Sequence, residues 1–263
     1  MPTTSSPSNV FVAYWLYQAD PAFGRLEEGR RRRAKASFLD ALERRPKSVT
    51  LRGVYSLAGL REDADLMLWA HGPELDDLQR LAVSLRQSDL GRYLIPRQVY
   101  IGVTAAARYD PGHQPSFMYG AAPKRYISVY PFVKTTEWYL LPYEQRRELM
   151  AEHGLVGRKY AVSRERLLAE REEGAGGTAN ADARAAATAL ATDEEGGGVL
   201  SNTVDSFGLG DYEFILANES DDPAELCRMM ESLRKVEVRR YTKQDTPIFL
   251  GRLCDPAEAL EDL

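Results

Sequence analysis

The chain has 263 residues, 44% of them hydrophobic and 28% charged, which is enough for one large domain or two packed smaller ones. A net charge of −5 speaks against a nucleic-acid partner, for which a basic excess is the rule. No apolar run reaches the ~18 residues that a membrane span needs, and two cysteines, Cys227 and Cys254, lack both number and spacing for a disulfide framework or a metal site, so a reducing cytoplasm is expected.

Residues 1–8 are Ser/Thr/Pro-rich, without a basic or an apolar leader region, and are expected to be a loose tail. An apolar, strand-like stretch follows at Asn9–Gln18, then a charged helical one at Phe23–Arg45, whose run Arg30–Arg33 points around most of a helix and reads as a solvated face. Strands are predicted at Ser48–Ala58 and Ala64–His71. Pro73 opens a helix to about Gln87 with Leu75, Leu78, Leu81 and Leu85 on one stripe, and a strand covers Arg97–Ala105.

A Gly- and Pro-rich linker, 108–123, leads to a second series. Its elements are a strand at Lys124–Tyr130, a helix at Tyr143–His153 with Gly154 as C-cap, strands at Leu200–Phe207 and Tyr212–Ala217, a helix at Pro223–Lys235 and a strand at Pro247–Leu253. The order β-α-β-β-α-β thus occurs twice. It predicts an α+β fold, a tandem ferredoxin-like repeat with halves at 9–107 and 124–255. Within the second half, 163–198 turns from alternating Arg and Glu to Gly, Ala, Thr and acidic residues; it carries too little apolar surface to offset ordering and is expected to be a flexible insertion.

Three histidines offer themselves for chemistry. His71 ends an apolar strand and reads as structural. His113 sits in the linker loop, where exposure to solvent is the ordinary state. His153 shares a helix face with Leu149 and Met150, four and three residues back, and reads either as a buried, satisfied histidine or as a ligand. A haem iron requires such an imidazole on a rigid element, with an acceptor behind its other nitrogen. Glu219, at the end of a predicted strand, is the best-placed carboxylate for that, and equally reads as a surface residue. In Tyr126–Lys134, period two puts Tyr126, Ser128 and Tyr130 on one face, and Pro131 is expected to end the pairing at a pocket rim. Tyr130 with Lys134 four residues on combines a phenol with an anchor for carboxylates.

These runs carry a resemblance. YISVYPFVK at 126–134, EWYLLP at 137–142, EQRRELMAEHG at 144–154, NTVDSFGLGDYEFIL at 202–216 and REDADLMLW at 61–69 resemble the coproheme decarboxylases of the chlorite dismutase-like superfamily, chiefly their actinobacterial branch. The resemblance implies a tandem ferredoxin-like fold (a dimeric α+β barrel within one chain), a homopentamer, and peroxide-dependent decarboxylation of two propionates of iron coproporphyrin III (coproheme) to haem b. It puts the axial iron ligand on His153, the radical-forming tyrosine on Tyr130, a propionate contact on Lys134 and the distal base on His113, seventeen positions before Tyr130. It also aligns Glu219 with a carboxylate behind the axial histidine. Arg125, Arg239 and Arg240 are further candidates for carboxylate contacts, and coproporphyrin ferrochelatase is an implied transient partner. Chlorite-degrading relatives use a distal arginine, whereas Ser201, Asn202 and Thr203 offer none. The competing readings are a haem peroxidase or chlorite-degrading enzyme and a haem-binding protein without turnover; the latter has no use for a phenol at the pocket rim.

Overall fold

The computed structural model describes residues 9–104, 114–175 and 197–263. In chain order these form β1 (Phe11–Ala19), α1 (Pro21–Gly24), α2 (Glu28–Glu43), β2 (Thr50–Ser56), β3 (Leu66–Gly72), α3 (Leu75–Gln87), β4 (Leu94–Val103), β5 (Tyr126–Lys134), α4 (Thr136–Leu140), α5 (Tyr143–Arg158), α6 (Arg164–Ala175), β6 (Leu200–Asp205), β7 (Phe214–Ser220), α7 (Pro223–Leu233), β8 (Thr242–Gln244), β9 (Phe249–Cys254) and α8 (Pro256–Glu261). Among the described residues no helix is long and apolar enough to cross a membrane.

The chain divides into two units, the first comprising Met1–Ala105, Val204–Ile215 and Pro247–Leu263, the second Ala106–Thr203 and Leu216–Thr246. In the first unit β4, β1, β3, β2 and β9 lie side by side, each neighbour antiparallel. Period two turns Ala13, Trp15 and Tyr17 of β1 to the helix side, where they meet Phe38 and Leu42 of α2 and Leu78, Leu81 and Leu85 of α3. The leucine stripe of α3 is therefore the buried one, as its spacing predicts. Arg30, Arg32 and Arg33 are exposed on α2, which fits a solvated face.

The last strand, which the sequence places in the second half, falls in the first unit. β9 pairs with β2 through Val54, Tyr55 and Ser56, and α8 buries Ala259 and Leu260 in the core of the first unit. The apolar surface that α2 and β2 leave over decides this, and no local signal near residue 250 reveals it.

In the second unit β6 pairs with β7, β7 with β5, and β5 with β8. β5 continues through Pro131 to Lys134, because Val133 and Lys134 pair with Gln244 and Thr242 of β8. Pro131 thus does not end the strand. Helix α5 likewise runs past Gly154 to Arg158. A capping glycine takes positive φ, and Gly154 does not, so it is an interior residue that costs a little propensity. Asp222 and Pro223 start α7 in the ordinary way, the aspartate side chain accepting from the Ala224 N–H with proline at the first helical position.

The stretch expected to be flexible from residue 163 begins as a helix. Ser163 Oγ accepts from the Arg166 N–H, and Leu167 is buried with Tyr119, Ala121, Val162 and Leu200. Residues 176–196 of the expected insertion, and His113, lie outside the described residues.

Candidate functional site

Of the five side chains singled out in the sequence, the four among the described residues, Tyr130, Lys134, His153 and Glu219, belong to the second unit. Helix α5 sets His153 among apolar neighbours, since Leu149, Met150 and Val156 pack with Trp138, Val236 and Val238. The ring is half-buried, yet its Nδ1 is fully buried and has no hydrogen-bond partner among the described residues. Burial, with the Lys134 ammonium as a smaller cause, pushes the imidazole pKa down to about 4. His153 is therefore neutral at physiological pH, the state in which an imidazole binds a metal. A buried nitrogen without a partner costs about 1–3 kcal/mol, a cost usually found where function requires it.

That donor set has a consequence. Among the described residues no group of three or more His, Cys, Asp or Glu side chains is arranged to hold a metal ion. A single neutral imidazole in an apolar setting fits an iron porphyrin, which carries its remaining ligands with it.

Lys134, at the end of β5, lies over the Trp138 ring, with Nζ 4.4 Å from the centroid, and near the Phe132 ring at 5.1 Å. These contacts hold the cation on aromatic faces, within electrostatic reach of His153. Four residues back, Tyr130 is 3% exposed. Its O–H donates to Met230 Sδ at 3.3 Å, and its oxygen accepts from Asn218 Nδ2 at 3.3 Å. Burial raises the phenol pKa to about 12, so the ring stays protonated across the physiological range. Asp245 also raises it, while Asn218, Arg234 and Arg239 pull the other way. Helix α7, which supplies Met230, packs against both α5 and β5.

Glu219 is near a strand end, as the sequence has it, but its partners are others than His153. It lies inside β7, fully buried, and its two carboxylate oxygens accept from Asn202 Nδ2 and from the Lys124 N–H, each at 3.0 Å. It makes no hydrogen bond to His153 Nδ1. The register explains the difference: β7 begins at Phe214 and runs to Ser220, so Glu219 points into the sheet's polar seam with β6. Asn202 is wholly committed there, donating to Ala217 O at 3.2 Å as well as to Glu219 and accepting from the Phe117 N–H at 2.9 Å. Asn202→Ala should lower unfolding free energy by about 2–4 kcal/mol, because two buried acceptors and a buried donor each lose a partner; urea denaturation of the porphyrin-free protein measures it.

Three residues the sequence reading passed over belong to this site. Asn218 and Met230 hold the phenol, and the buried Asp245 accepts from Arg234 at 3.0 Å and from Arg239 at 2.8 Å. The available signal was Asn218-Glu219-Ser220, three polar residues in succession at the end of an apolar strand. Of the other basic candidates, Arg125 lies 5.2 Å from the Tyr126 ring centroid and Arg240 pairs with Glu237.

The low pKa of His153 has a measurable sign. The folded value, about 4, lies below the unfolded 6.5, so the unfolded chain binds more protons between these limits and stability falls as pH drops from 6.5 towards 4. His71 in the first unit, also pushed to about 4 by burial, adds a dependence of the same sign. In porphyrin-free protein His153→Leu should remove one of the two contributions and flatten the stability profile over that window, as followed by denaturation at several pH values.

A model of the chlorite dismutase family matches residues 31–168 and 189–254. The chain belongs to the chlorite dismutase family. The matched stretches omit 169–188, inside the segment read as an insertion. Among curated relatives in this family, the coproheme decarboxylase of Mycolicibacterium smegmatis is 36% identical over 217 residues, covering 82% of this chain and 78% of that one. The coproheme decarboxylase of Staphylococcus carnosus is 32% identical over 123 residues, 41% of this chain and 49% of that one. The solved chlorite dismutase of Candidatus Nitrospira defluvii, as an arginine-to-lysine variant, superposes with a TM-score of 0.75 at 22% identity, covering 97% of this chain and 95% of that one. The same protein in complex with imidazole gives 0.73 at 24% identity, with the same coverage. The fold is that of the chlorite dismutases, an α+β tandem of ferredoxin-like units.

Proposed function

We propose that this member of the chlorite dismutase family is a coproheme decarboxylase that uses hydrogen peroxide to convert two propionates of iron coproporphyrin III into the vinyl groups of haem b. The observation that carries the reading is the pair of unusual side chains in one unit: a neutral imidazole with a buried, unpartnered nitrogen, and a buried, protonated phenol. The two relatives named for this activity support it.

In this reading His153 takes the iron of the substrate from one side, and its apolar neighbours exclude water from that face. Lys134 holds a propionate, its ammonium kept in place by the Trp138 face. Bound there, the substrate's own iron supplies the activation of peroxide to a one-electron oxidant. His113 accepts the first peroxide proton and returns it to the departing oxygen. Tyr130 gives up an electron and its proton, then recovers a hydrogen atom from the β-carbon of a propionate. The carbon radical loses a second electron, and the carboxyl group leaves as carbon dioxide. Each round balances as propionate, peroxide and one proton giving vinyl, carbon dioxide and two waters.

Asn202 weighs against chlorite as the substrate: in a segment where chlorite-degrading relatives use an arginine, it is buried and fully hydrogen-bonded within the sheet. The same reading makes the enzyme a cytoplasmic homopentamer that receives coproheme from coproporphyrin ferrochelatase; the two free cysteines agree with a reducing compartment.

The test is to add ferric coproporphyrin III and then hydrogen peroxide to the purified protein and follow porphyrin mass. Two successive losses, each of one carbon, two oxygens and two hydrogens, are expected at one peroxide apiece. Bleaching without a mass step leaves a haem-binding protein, and oxygen release from chlorite in the same preparation makes it a chlorite-degrading one.

A further inference from the structure

The surroundings of Tyr130 are more specific than burial of a tyrosine demands. A phenol in a sheet interior is satisfied by one hydrogen bond, commonly to a backbone carbonyl. Here the oxygen has two side-chain partners of opposite kind, from two elements. Asn218 of β7, 3% exposed, donates to Oη at 3.3 Å, and Met230 of α7 accepts the hydroxyl hydrogen at 3.3 Å. Because successive residues of a strand face opposite ways, Asn218 serves the phenol while its neighbour Glu219 serves Asn202. The two polar residues therefore do separate work.

A thioether sulfur is a weak acceptor and not a base. The hydroxyl hydrogen is thus held in a definite direction yet cheaply released, whereas the oxygen is fixed by an amide from which no proton can come. A carboxylate is a far stronger acceptor than sulfur, and charge-assisted hydrogen bonds are roughly twice as strong as neutral ones.

We propose that Asn218 is a positioning residue for the reactive phenol and Met230 its resting hydrogen-bond partner, which a carboxylate of the substrate displaces from the Tyr130 hydroxyl. This rests on the reading of Tyr130 as the reactive residue. The amide keeps Oη in place when the hydrogen changes partner. Its dipole also stabilises partial negative charge on the oxygen of the oxidised ring, which favours formation of the radical. Asp245, Arg234 and Arg239 act on the same phenol through space, but none of them hydrogen-bonds it.

A packing role and a hydrogen-bonding role separate by sign. A donor to Oη favours the phenolate and an acceptor from the hydroxyl favours the phenol. With difluorotyrosine at position 130 of the full-length, porphyrin-free protein, fluorine NMR reads the phenol titration in an accessible pH range. Asn218→Leu should raise that pKa by roughly 0.5–1 pH unit, the equivalent of one ordinary hydrogen bond. Met230→Leu, nearly isosteric, should lower it by a similar amount. Added coproheme should abolish the Met230→Leu difference, the hydrogen then resting on a substrate carboxylate. In natural protein Asn218→Leu should reduce kcat for decarboxylation about tenfold with KM for coproheme unchanged, and Asn218→Gln should recover part of it.

Shifts of the same sign in both variants, or no shift in the more conservative Met230→Leu, overturn the proposal. Opposite shifts in a protein that never decarboxylates coproheme leave the hydrogen bonds standing and sink the proposed function instead.

Discussion

Tyr130→Phe is expected to bind ferric coproporphyrin III as the natural protein does and to lose decarboxylation by at least about a thousandfold, roughly 4 kcal/mol of transition-state stabilisation. Phenylalanine keeps the ring and nearly all of the packing of this buried residue. It removes the buried phenol hydroxyl to which the hydrogen transfer is assigned. The expected structural cost is modest. Asn218 loses its acceptor, and an unsatisfied buried amide costs about 1–2 kcal/mol. A melting curve shifted by a few degrees with binding intact therefore separates loss of chemistry from loss of fold. Ordinary turnover in this variant would place the radical elsewhere.

The second large effect concerns His153. His153→Ala should weaken coproheme binding by at least about a hundredfold, some 2.7 kcal/mol, because the protein's bond to the iron is gone. Free imidazole added to the variant should restore the low-energy absorption bands of a histidine-bound ferric porphyrin. The porphyrin-free protein should not suffer in proportion. The side chain leaves one buried nitrogen unpartnered, so its removal relieves a penalty even as it opens a small void. Unfolding free energy unchanged or slightly higher, with binding lost, is the signature of a residue kept for a ligand. A large loss of stability with binding retained would make His153 a structural residue.

Much of this architecture was legible before any coordinates. Leu75, Leu78, Leu81 and Leu85 mark the buried stripe of α3, and the doubled β-α-β-β-α-β order marks the tandem fold, because helix and strand periods act locally. The alternation from Tyr126 marks a strand, but where the sequence expects it to end at a pocket rim after Tyr130, the strand runs on and Tyr130 is buried within it. What escaped depends on partners distant in sequence. β8 carries β5 past Pro131, and the core of the first unit captures β9 and α8. Gly154 suggests a helix end only as long as the packing of Val156 beyond it is unknown. Glu219 shows the limit most clearly. Residue type makes it a fit companion for a metal-bound histidine, but side-chain partners are set by strand register, and the register gives it Asn202. The resemblance carried by five short motifs brought His153, Tyr130 and Lys134 together as candidates; Asn218 and Met230 required the structure.

The most direct measurement is electron paramagnetic resonance on samples frozen within milliseconds of adding one equivalent of peroxide to the coproheme-loaded protein. A phenoxyl signal that narrows with ring-deuterated tyrosine is predicted in the natural chain, absent from Tyr130→Phe, and absent from His153→Ala. The same tyrosine signal at full intensity in Tyr130→Phe would contradict the account.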